Sequence, residues 1–280
     1  VLGIERTAPN RSYRDMNHKP EMLYALTDFD ALIGFRVPRK ARRLLEGLDG
    51  ELAELLRRRL NLSTVRGGLR SLASWVFDID SPVTPPLVEE FVAACRSRLE
   101  AGESPSLRAD QLVCELEAAH GGDAGIILAF LMNPVSLRAG EAAYIPPRQI
   151  HAYQRGLGVE VMAASDNVIR AGLTHKHVDS AQLVEIAEFS ALPPIRLAPE
   201  HPSPHSDRFL APAQEFELTV TTCTPELTAL RVPGEGPRIA LVTRGRLSLS
   251  TEAGECTLGQ GEAVFISAAE HHLRIAGEGE

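Results

Sequence analysis

The sequence predicts a mainly β fold with an α-helical insertion, arranged as two β-barrel or jelly-roll units plus a helical domain. Three observations lead to this prediction. A block of helix-period apolar residues interrupts the chain, short strand-like segments lie on both sides of that block, and a Gly-Glu motif is repeated. The chain has 280 residues, 44% of them hydrophobic, which is enough for more than one structural unit.

The first β unit is predicted to begin in residues 1–37, with strands at 21–26 and 31–35. Between residues 39 and about 129, apolar residues instead recur every three or four positions, as they do at Leu44, Leu48 and Leu52. Further helices are predicted near 65–77, 86–101 and 107–120, and Pro85 and Pro86 suit the start of one of them. We therefore assign residues 38–126 to the helical domain.

After this block the pattern returns to short segments separated by Gly and Pro. Strands predicted at 127–135, 141–145 and 158–162 complete the first β unit, which continues over 127–190. A Pro-rich connector follows residue 192. The second β unit, residues 191–280, has predicted strands at 216–222, 239–242, 246–250 and 263–267.

An internal repeat supports the division into two β units. The segment LRAGEAAYI at 137–145 resembles LGQGEAVFI at 258–266, and a histidine follows each glycine at the same interval, His151 and His272. A Gly-Glu turn, a strand and then a histidine resemble the second conserved motif of cupins, which implies two cupin-like units. We interpret His272 as a relic of duplication, because no glutamate-bearing motif accompanies it and His271 beside it suggests an exposed turn.

Composition excludes several classes of protein. A net charge of −8 and a pI near 5.7 argue against a nucleic-acid binder, which would carry a basic face. No apolar run approaches the length of a membrane span, and no signal peptide opens the sequence. The four cysteines are widely spaced without a CxxC pair, so they predict neither a disulfide framework nor a thiolate metal site. These features predict a cytoplasmic protein.

Three separated segments carry the chemistry: NHKPE at 17–21, IHAY at 150–153, and VEVMAASDNVIRAGLT at 159–174. The order and the amino-acid sequences of these segments resemble those of type I mannose-6-phosphate isomerases, zinc enzymes of the cupin superfamily. The resemblance extends over residues 10–179. The resemblance implies a monomeric isomerase that interconverts mannose 6-phosphate and fructose 6-phosphate through an enediol.

The resemblance implies that Glu21 and His151 are zinc ligands, and carboxylate and imidazole both suit that metal. We expect one Zn²⁺ per chain. The family takes two further ligands, a Gln and a His one residue apart, from a segment upstream of the motif that holds Glu21. The sequence opens at Val1 without Met, about where that segment should already have ended, so we expect it to be missing from this sequence.

The resemblance also implies the catalytic groups. Arg170 matches the family's assigned active-site arginine, and a fixed cation suits the negative charge that develops on oxygen during isomerisation. Lys19 and His18 match residues proposed in the family for acid–base chemistry or substrate contacts, and the intrinsic pKa of histidine suits proton transfer near neutrality. Glu160 is the alternative base or a substrate-binding residue.

Four further residues are candidates for substrate binding. The chain has only three lysines, and we expect Lys176, with Lys19 as a second cation, to bind the doubly charged 6-phosphate. Asp166 is a candidate for orienting Arg170 or the substrate. Tyr153 and Asn167 are candidates for contacts to sugar hydroxyls, by their motif positions alone.

Two alternatives compete with the isomerase. A non-catalytic sugar-binding cupin, or a catalytically incomplete fragment of such an isomerase, is favoured by the absence of two zinc ligands from the sequence. An iron oxygenase or another cupin epimerase is the second alternative, because fold alone cannot choose among cupin chemistries. Iron chemistry would require an HxH pair with a nearby Glu in the first barrel motif. The one such spaced pair, His175 and His177, lacks the flanking strand glycine.

Overall fold

The structure is a computed structural model that describes residues 5, 8, 13–61, 67–78, 80–227 and 229–280. The first β unit and the helices inserted into it contain the following elements: β1 (Glu21–Ala25), β2 (Phe29–Phe35), α1 (Pro38–Leu44), α2 (Glu51–Asn61), α3 (Gly67–Phe77), α4 (Pro85–Glu100), α5 (Leu107–His120), α6 (Gly125–Leu131), β3 (Met132–Leu137), β4 (Ala142–Ile145), β5 (His151–Arg155) and β6 (Gly158–Met162). The rest of the chain contains α7 (Ser180–Ile186), β7 (Ile195–Leu197), β8 (Glu200–Ser203), β9 (Ser206–Phe209), β10 (Leu218–Thr221), β11 (Leu230–Arg231), β12 (Arg238–Leu241), β13 (Gly245–Ser250), β14 (Glu255–Gly259), β15 (Ala263–Ile266) and β16 (Arg274–Gly279). These elements confirm the predicted mainly β chain with a helical insertion.

The first β unit is a sandwich of two antiparallel sheets, with strand orders β6-β1-β4-β7 and β3-β2-β5. Successive side chains of a strand point to opposite faces. Every second residue therefore enters one apolar core between the sheets, formed by Leu23, Ala25, Phe29, Ala31, Ile33, Val135, Leu137, Ala143 and Ile145. This core determines which side chains near the strand ends face the interior.

Strand β2 contributes to two cores at once. Ala31 and Ile33 face the sandwich interior, while Leu32 and Phe35 belong to the core of the helical domain. Simple alternation would place Phe35 on the same face as Ile33. Gly34, with φ of +60°, lies at a register shift between β2 and β3 that turns Phe35 to the helical side, where its ring stacks on another phenylalanine, Phe189.

The helical domain packs α1–α6 around one large apolar core. The predicted helices begin and end close to their expected positions, except that the apolar repeat from Leu44 to Leu60 forms two helices, α1 and α2, separated by a turn at Gly47 with φ of +67°. The longest described helix, α4, has 16 residues. Among the described residues no helix has both the length and the apolar character to cross a membrane.

The strand predicted at 127–135 is wrong over its first half. Residues Gly125–Leu131 form helix α6, and the strand β3 begins only at Met132. All seven residues of α6 are buried. A short, uninterrupted apolar run has no period from which a helix could be told from a strand, so the error is inherent in the pattern.

The second β unit contains the predicted strands close to their expected positions and packs on the outer face of the first. Its sheets have the orders β11-β16-β13-β14, β12-β15 and β10-β9-β8. Phe209 of β9 lies against Met22, Tyr24 and Ala142, with the rings of Tyr24 and Phe209 5.4 Å apart. The Tyr144 hydroxyl donates to the Pro212 carbonyl at 3.5 Å. The segment predicted as a connector therefore contains strands that join the two units.

Candidate active site

The candidate site lies at one end of the sandwich, where β1 and β5 begin. Glu21 shares a face of β1 with Leu23, and His151 lies opposite Ile33 in the β2–β5 pairing, so both point toward the space between the sheets. Their side chains meet there, with His151 Nε2 3.2 Å from Glu21 Oε2. The Glu21 side chain is only 7% exposed.

The hydrogen bonds of His151 fix the role of its ring. Nδ1 lies 3.0 Å from the Gln149 carbonyl oxygen, which can only accept, so Nδ1 carries a proton. In the neutral imidazole, Nε2 then presents a lone pair to a carboxylate oxygen. Two ligands of one tetrahedral zinc ion lie about 3.3 Å apart, given bond lengths near 2.0–2.1 Å. The observed 3.2 Å fits a metal ion held between the two atoms, or a proton if the ring is charged.

Lys19 forms an ion pair with the other oxygen of the Glu21 carboxylate. Its Nζ lies 2.9 Å from Glu21 Oε1 and its side chain is 18% exposed. The ammonium compensates the charge of a buried carboxylate. It also engages one oxygen, which leaves Oε2 to face His151.

Glu160 is a third potential metal ligand. It lies on β6 opposite Leu23, and one of its oxygens is within 4.8 Å of ligand atoms of both Glu21 and His151. The Tyr153 hydroxyl donates a short hydrogen bond to Glu160 Oε1. Burial of the phenol, and then this bond to a carboxylate, raise the pKa of Tyr153 far above its ordinary value. Tyr153, expected to contact the sugar, is thus engaged in holding Glu160.

Next to these ligands lies a cavity of about 580 Å³. Six of the predicted residues line it: His18, Lys19, Glu21, His151, Asn167 and Arg170. Among the described residues, Arg170 takes part in no ion pair. The cavity thus combines a potential metal site with the guanidinium of Arg170.

Other predicted residues lie elsewhere. Lys176 is exposed and does not line the cavity, although Thr174, two residues before it, does. The backbone N–H of Lys176 donates to Thr174 Oγ1 at 3.2 Å. The exposed Asp166 does not line the cavity either, and its backbone N–H donates to Asp15 Oδ2 at 2.9 Å. His272, interpreted as a relic, is exposed beside Glu252 at 3.9 Å.

Asn167 lines the cavity, but its carboxamide forms hydrogen bonds to other residues of the chain. Oδ1 accepts the backbone N–H groups of Arg14 (2.7 Å) and Asp15 (3.1 Å). Nδ2 donates to the Asn17 carbonyl (3.1 Å), the Asp15 carbonyl (3.2 Å) and Asp15 Oδ1 (3.0 Å). Both amide hydrogens and both lone pairs are used. The contact of Asn167 to a sugar hydroxyl stays a prediction. Asn167 ties the segment that leads to His18 to the loop that leads to Arg170.

Asp123 fixes the other end of the Arg170 loop. One carboxylate oxygen accepts the Gly125 N–H at 2.7 Å and the other accepts the Leu173 N–H at 2.9 Å. Leu173 has φ of +54° and Gly172 has φ of +132°. A Cβ on Gly172 would lie 2.7 Å from Asp123 Oδ1, so glycine is required for this close approach. The helical domain thereby positions one wall of the cavity.

Two arginines hold α7, which supplies another part of the wall. Arg148 Nε donates to the Ile186 carbonyl at 2.8 Å, and Arg70 donates to the carbonyls of Val184, Glu185 (3.1 Å) and Ala187 (3.2 Å). Cations at a helix C-terminus satisfy its free carbonyls and oppose the negative end of its dipole. Sequence reasoning missed these arginines, because nothing near them in the sequence marks a partner so distant.

Known proteins resemble this chain over most of its length. The catalytic domain of phosphomannose isomerase type I matches residues 4–38. The chain is 31% identical to mannose-6-phosphate isomerase 1 of Arabidopsis thaliana over 286 residues, which cover 98% of this chain and 65% of the relative. It is 29% identical to mannose-6-phosphate isomerase of Escherichia coli (strain K12), a match covering 100% of this chain and 69% of the relative. The chain thus spans less than two thirds of the plant relative.

Solved structures show the same fold. A mannose 6-phosphate isomerase from Salmonella typhimurium, bound to its substrate and to zinc, superposes with a TM-score of 0.81 at 27% identity. The match covers 99% of this chain and 68% of that chain. A second structure, a zinc-bound mannose 6-phosphate isomerase, gives the same TM-score. With the sequence relatives, these likenesses establish that the chain belongs to the type I phosphomannose isomerase family.

Proposed function

We propose that this chain acts as a zinc-dependent aldose–ketose isomerase that interconverts mannose 6-phosphate and fructose 6-phosphate through an enediol intermediate. The observation that carries the proposal is the 3.2 Å approach of His151 Nε2 to Glu21 Oε2 at the edge of a cavity that Arg170 lines. Relatives and structural neighbours that bear the name of this enzyme support the proposal.

Glu21 and His151 are the residues that would hold the zinc ion, with Glu160 as a third candidate. The hydrogen bond from Nδ1 of His151 to Gln149 and the ion pair from Lys19 to Glu21 orient both ligands before any metal binds. When bound, zinc would supply Lewis acidity toward a substrate oxygen.

The other catalytic roles, proton transfer and charge stabilisation, belong to side chains that line the cavity. Isomerisation removes a proton from a carbon next to a carbonyl, and negative charge then develops on oxygen. We assign stabilisation of that charge to Arg170, a fixed cation in a partly closed cavity. We assign proton transfer to His18, because Lys19 is engaged by a carboxylate and serves as a cation.

The dimensions of the cavity agree with a small phosphorylated sugar. About 580 Å³ lies within the range of ordinary small-molecule sites. We propose Lys19 and the exposed Lys176 as the cations that bind the phosphate, and Asp166 as a residue that orients Arg170 or the sugar.

The test is interconversion of the two sugar phosphates by the purified chain, before and after chelation and zinc return. We expect activity to fall on chelation and to recover with zinc. Arg170→Lys should lower kcat, while Arg231→Lys, an exposed arginine of β11, should leave it unchanged. Lys19→Ala should impair turnover, and Lys40→Ala on the exposed side of α1 is its matched control. Absence of turnover at every zinc concentration would contradict the proposal.

A second candidate function is sugar-phosphate binding without catalysis. It is favoured by the small number of protein ligands that the described residues bring together, since Glu160 is already bound by Tyr153. Calorimetric binding of fructose 6-phosphate to a chain that shows no turnover would support this function instead.

We further propose a monomeric protein of the cytoplasm. The four cysteines are unpaired, which supports a reducing compartment. We also propose a division of the chain into 1–37, 38–126, 127–190 and 191–280. Helix α6 ends at Leu131, after the proposed boundary at 126. Strand β7, Ile195–Leu197, lies within the range 191–280 but pairs with β4 of the first unit. Light scattering would test the monomer.

A further inference from the structure

The second β unit reaches the active-site cavity through one side chain. Glu215, which lies between β9 and β10, forms a short hydrogen bond through Oε1 with His18 Nε2. The two residues are 197 positions apart in the sequence. His18 lines the cavity, whereas Glu215 does not. A carboxylate behind a cavity histidine can determine which ring nitrogen carries the proton.

The segment that carries Glu215 is anchored on the first unit. Three residues earlier, the Pro212 carbonyl accepts the Tyr144 hydroxyl at 3.5 Å. One residue later, Phe216 packs with Met22 and Tyr24 on the outer face of β1. The same strand β1 follows His18 by three residues. Glu215 is therefore held against the strand end from which His18 projects.

We propose that Glu215 is a positioning residue for His18: its carboxylate accepts a hydrogen bond from Nε2–H and leaves Nδ1 as the nitrogen that exchanges a proton with the substrate. This inference rests on the proposed isomerase function and on the assignment of proton transfer to His18. A carboxylate that accepts from one imidazole nitrogen fixes both the tautomer and the ring orientation. The hydrogen bond to His18 also lowers the pKa of Glu215, which keeps this carboxylate ionised.

The exposure of the pair sets the size of the effect. The His18 side chain is 62% exposed and that of Glu215 is 34% exposed. Water can replace a lost partner at such a position, so the loss should be smaller than for a buried dyad. We expect Glu215→Gln to lower kcat about 10-fold, the lower end of the range for groups that orient a functional histidine.

The first experiment compares steady-state kinetics of the full chain with Glu215→Gln and with Glu200→Gln. Glu200 pairs with Arg208 at 2.6 Å in the same unit and serves as the matched control. Glu215→Gln should lower kcat while KM and zinc content stay unchanged, and the control should change nothing. In a His18→Gln background, Glu215→Gln should have no further effect. An equal further loss in that background would overturn the inference, because Glu215 would then not act through His18.

The second experiment does not depend on turnover. Nitrogen-15 chemical shifts of the His18 ring report which nitrogen is protonated. We expect the Nε2–H tautomer in the wild type and in Glu200→Gln, and a mixture of tautomers in Glu215→Gln. If the wild type shows no turnover, the proposed function fails while the tautomer still tests the inference. An unchanged His18 tautomer in Glu215→Gln would refute the role of Glu215, whatever the activity.

Discussion

Asn167 offers the sharpest prediction, because its carboxamide connects two chain segments that are 150 or more residues apart. Replacing it by Ala removes acceptors for the N–H groups of Arg14 and Asp15. It also removes donors for the carbonyls of Asp15 and Asn17. We expect the segment before His18 to open more easily in Asn167→Ala, while the rest of the sandwich stays folded.

The magnitude follows from the number of bonds. A carboxamide can donate two hydrogens and accept two, and all four are used here. At about 0.5–1.5 kcal/mol each, these bonds contribute about 2–6 kcal/mol. Several of the partner groups are partly exposed and can be rehydrated, which brings the expected loss to about 2–4 kcal/mol. Exchange of the affected amide hydrogens should then accelerate roughly 30- to 1,000-fold.

Hydrogen–deuterium exchange of the peptide covering residues 13–20 measures this opening directly. The matched control is Asn133→Ala, because Asn133 also donates its side-chain amide to carbonyls, those of Ile33, Phe35 and Leu192. The control should lose protection around β2 and leave residues 13–20 unchanged. Unaltered exchange over 13–20 in Asn167→Ala would refute the reasoning, as would equal acceleration in both variants.

Three further predictions concern the metal site, the cavity wall and a buried phenol. Glu21→Gln should weaken zinc binding about 100-fold or more in a chelator competition, since it replaces a charged ligand by a neutral amide; unchanged affinity would exclude Glu21 as a ligand. Gly172→Ala should lower the free energy of unfolding in urea by about 1–3 kcal/mol, because it combines a φ of +132° with a Cβ 2.7 Å from Asp123 Oδ1. Gly140→Ala, with φ of +88° and open space around the added carbon, should lose less, and an equal loss would show that crowding is unimportant. Burial raises the pKa of Tyr24 to about 12. Its contribution to stability is complete below the ordinary tyrosine pKa of about 10 and is lost as pH rises toward 12, so Tyr24→Phe should flatten the pH dependence of urea unfolding in that window.

The elements that the sequence predicted well have a clear period or a clear boundary. Pro85 and Pro86 mark the start of α4 within one residue, and β1 was expected at 21–26 and is found at Glu21–Ala25. The helix α6 was missed because an apolar run without polar interruptions carries no period. Strands β7–β9 were missed because they are short and lie among prolines, which normally argue against strands.

In the candidate site, the residues that lie within the three motifs could be predicted. Glu21, His151 and Arg170 were found by their resemblance to a known family, and all three line one cavity. Their supporting partners could not be found in this way. Asp123 and Glu215 reach the site from 50 and 197 residues away, and nothing in the neighbouring sequence distinguishes them from surface carboxylates. Such partners are determined by the tertiary fold, which a local pattern does not contain.

Strand β2 has a consequence for how the protein unfolds. Its alternate residues belong to different cores, with Ala31 and Ile33 in the sandwich and Leu32 and Phe35 among the helices. Removing the helices would leave Leu32 and Phe35 facing water on a central strand, and disrupting the sandwich would remove one wall of the helical core. Neither part can lose its structure without destabilising the other. The helical insertion and the first β unit therefore form a single cooperative folding unit rather than two modules joined by a linker.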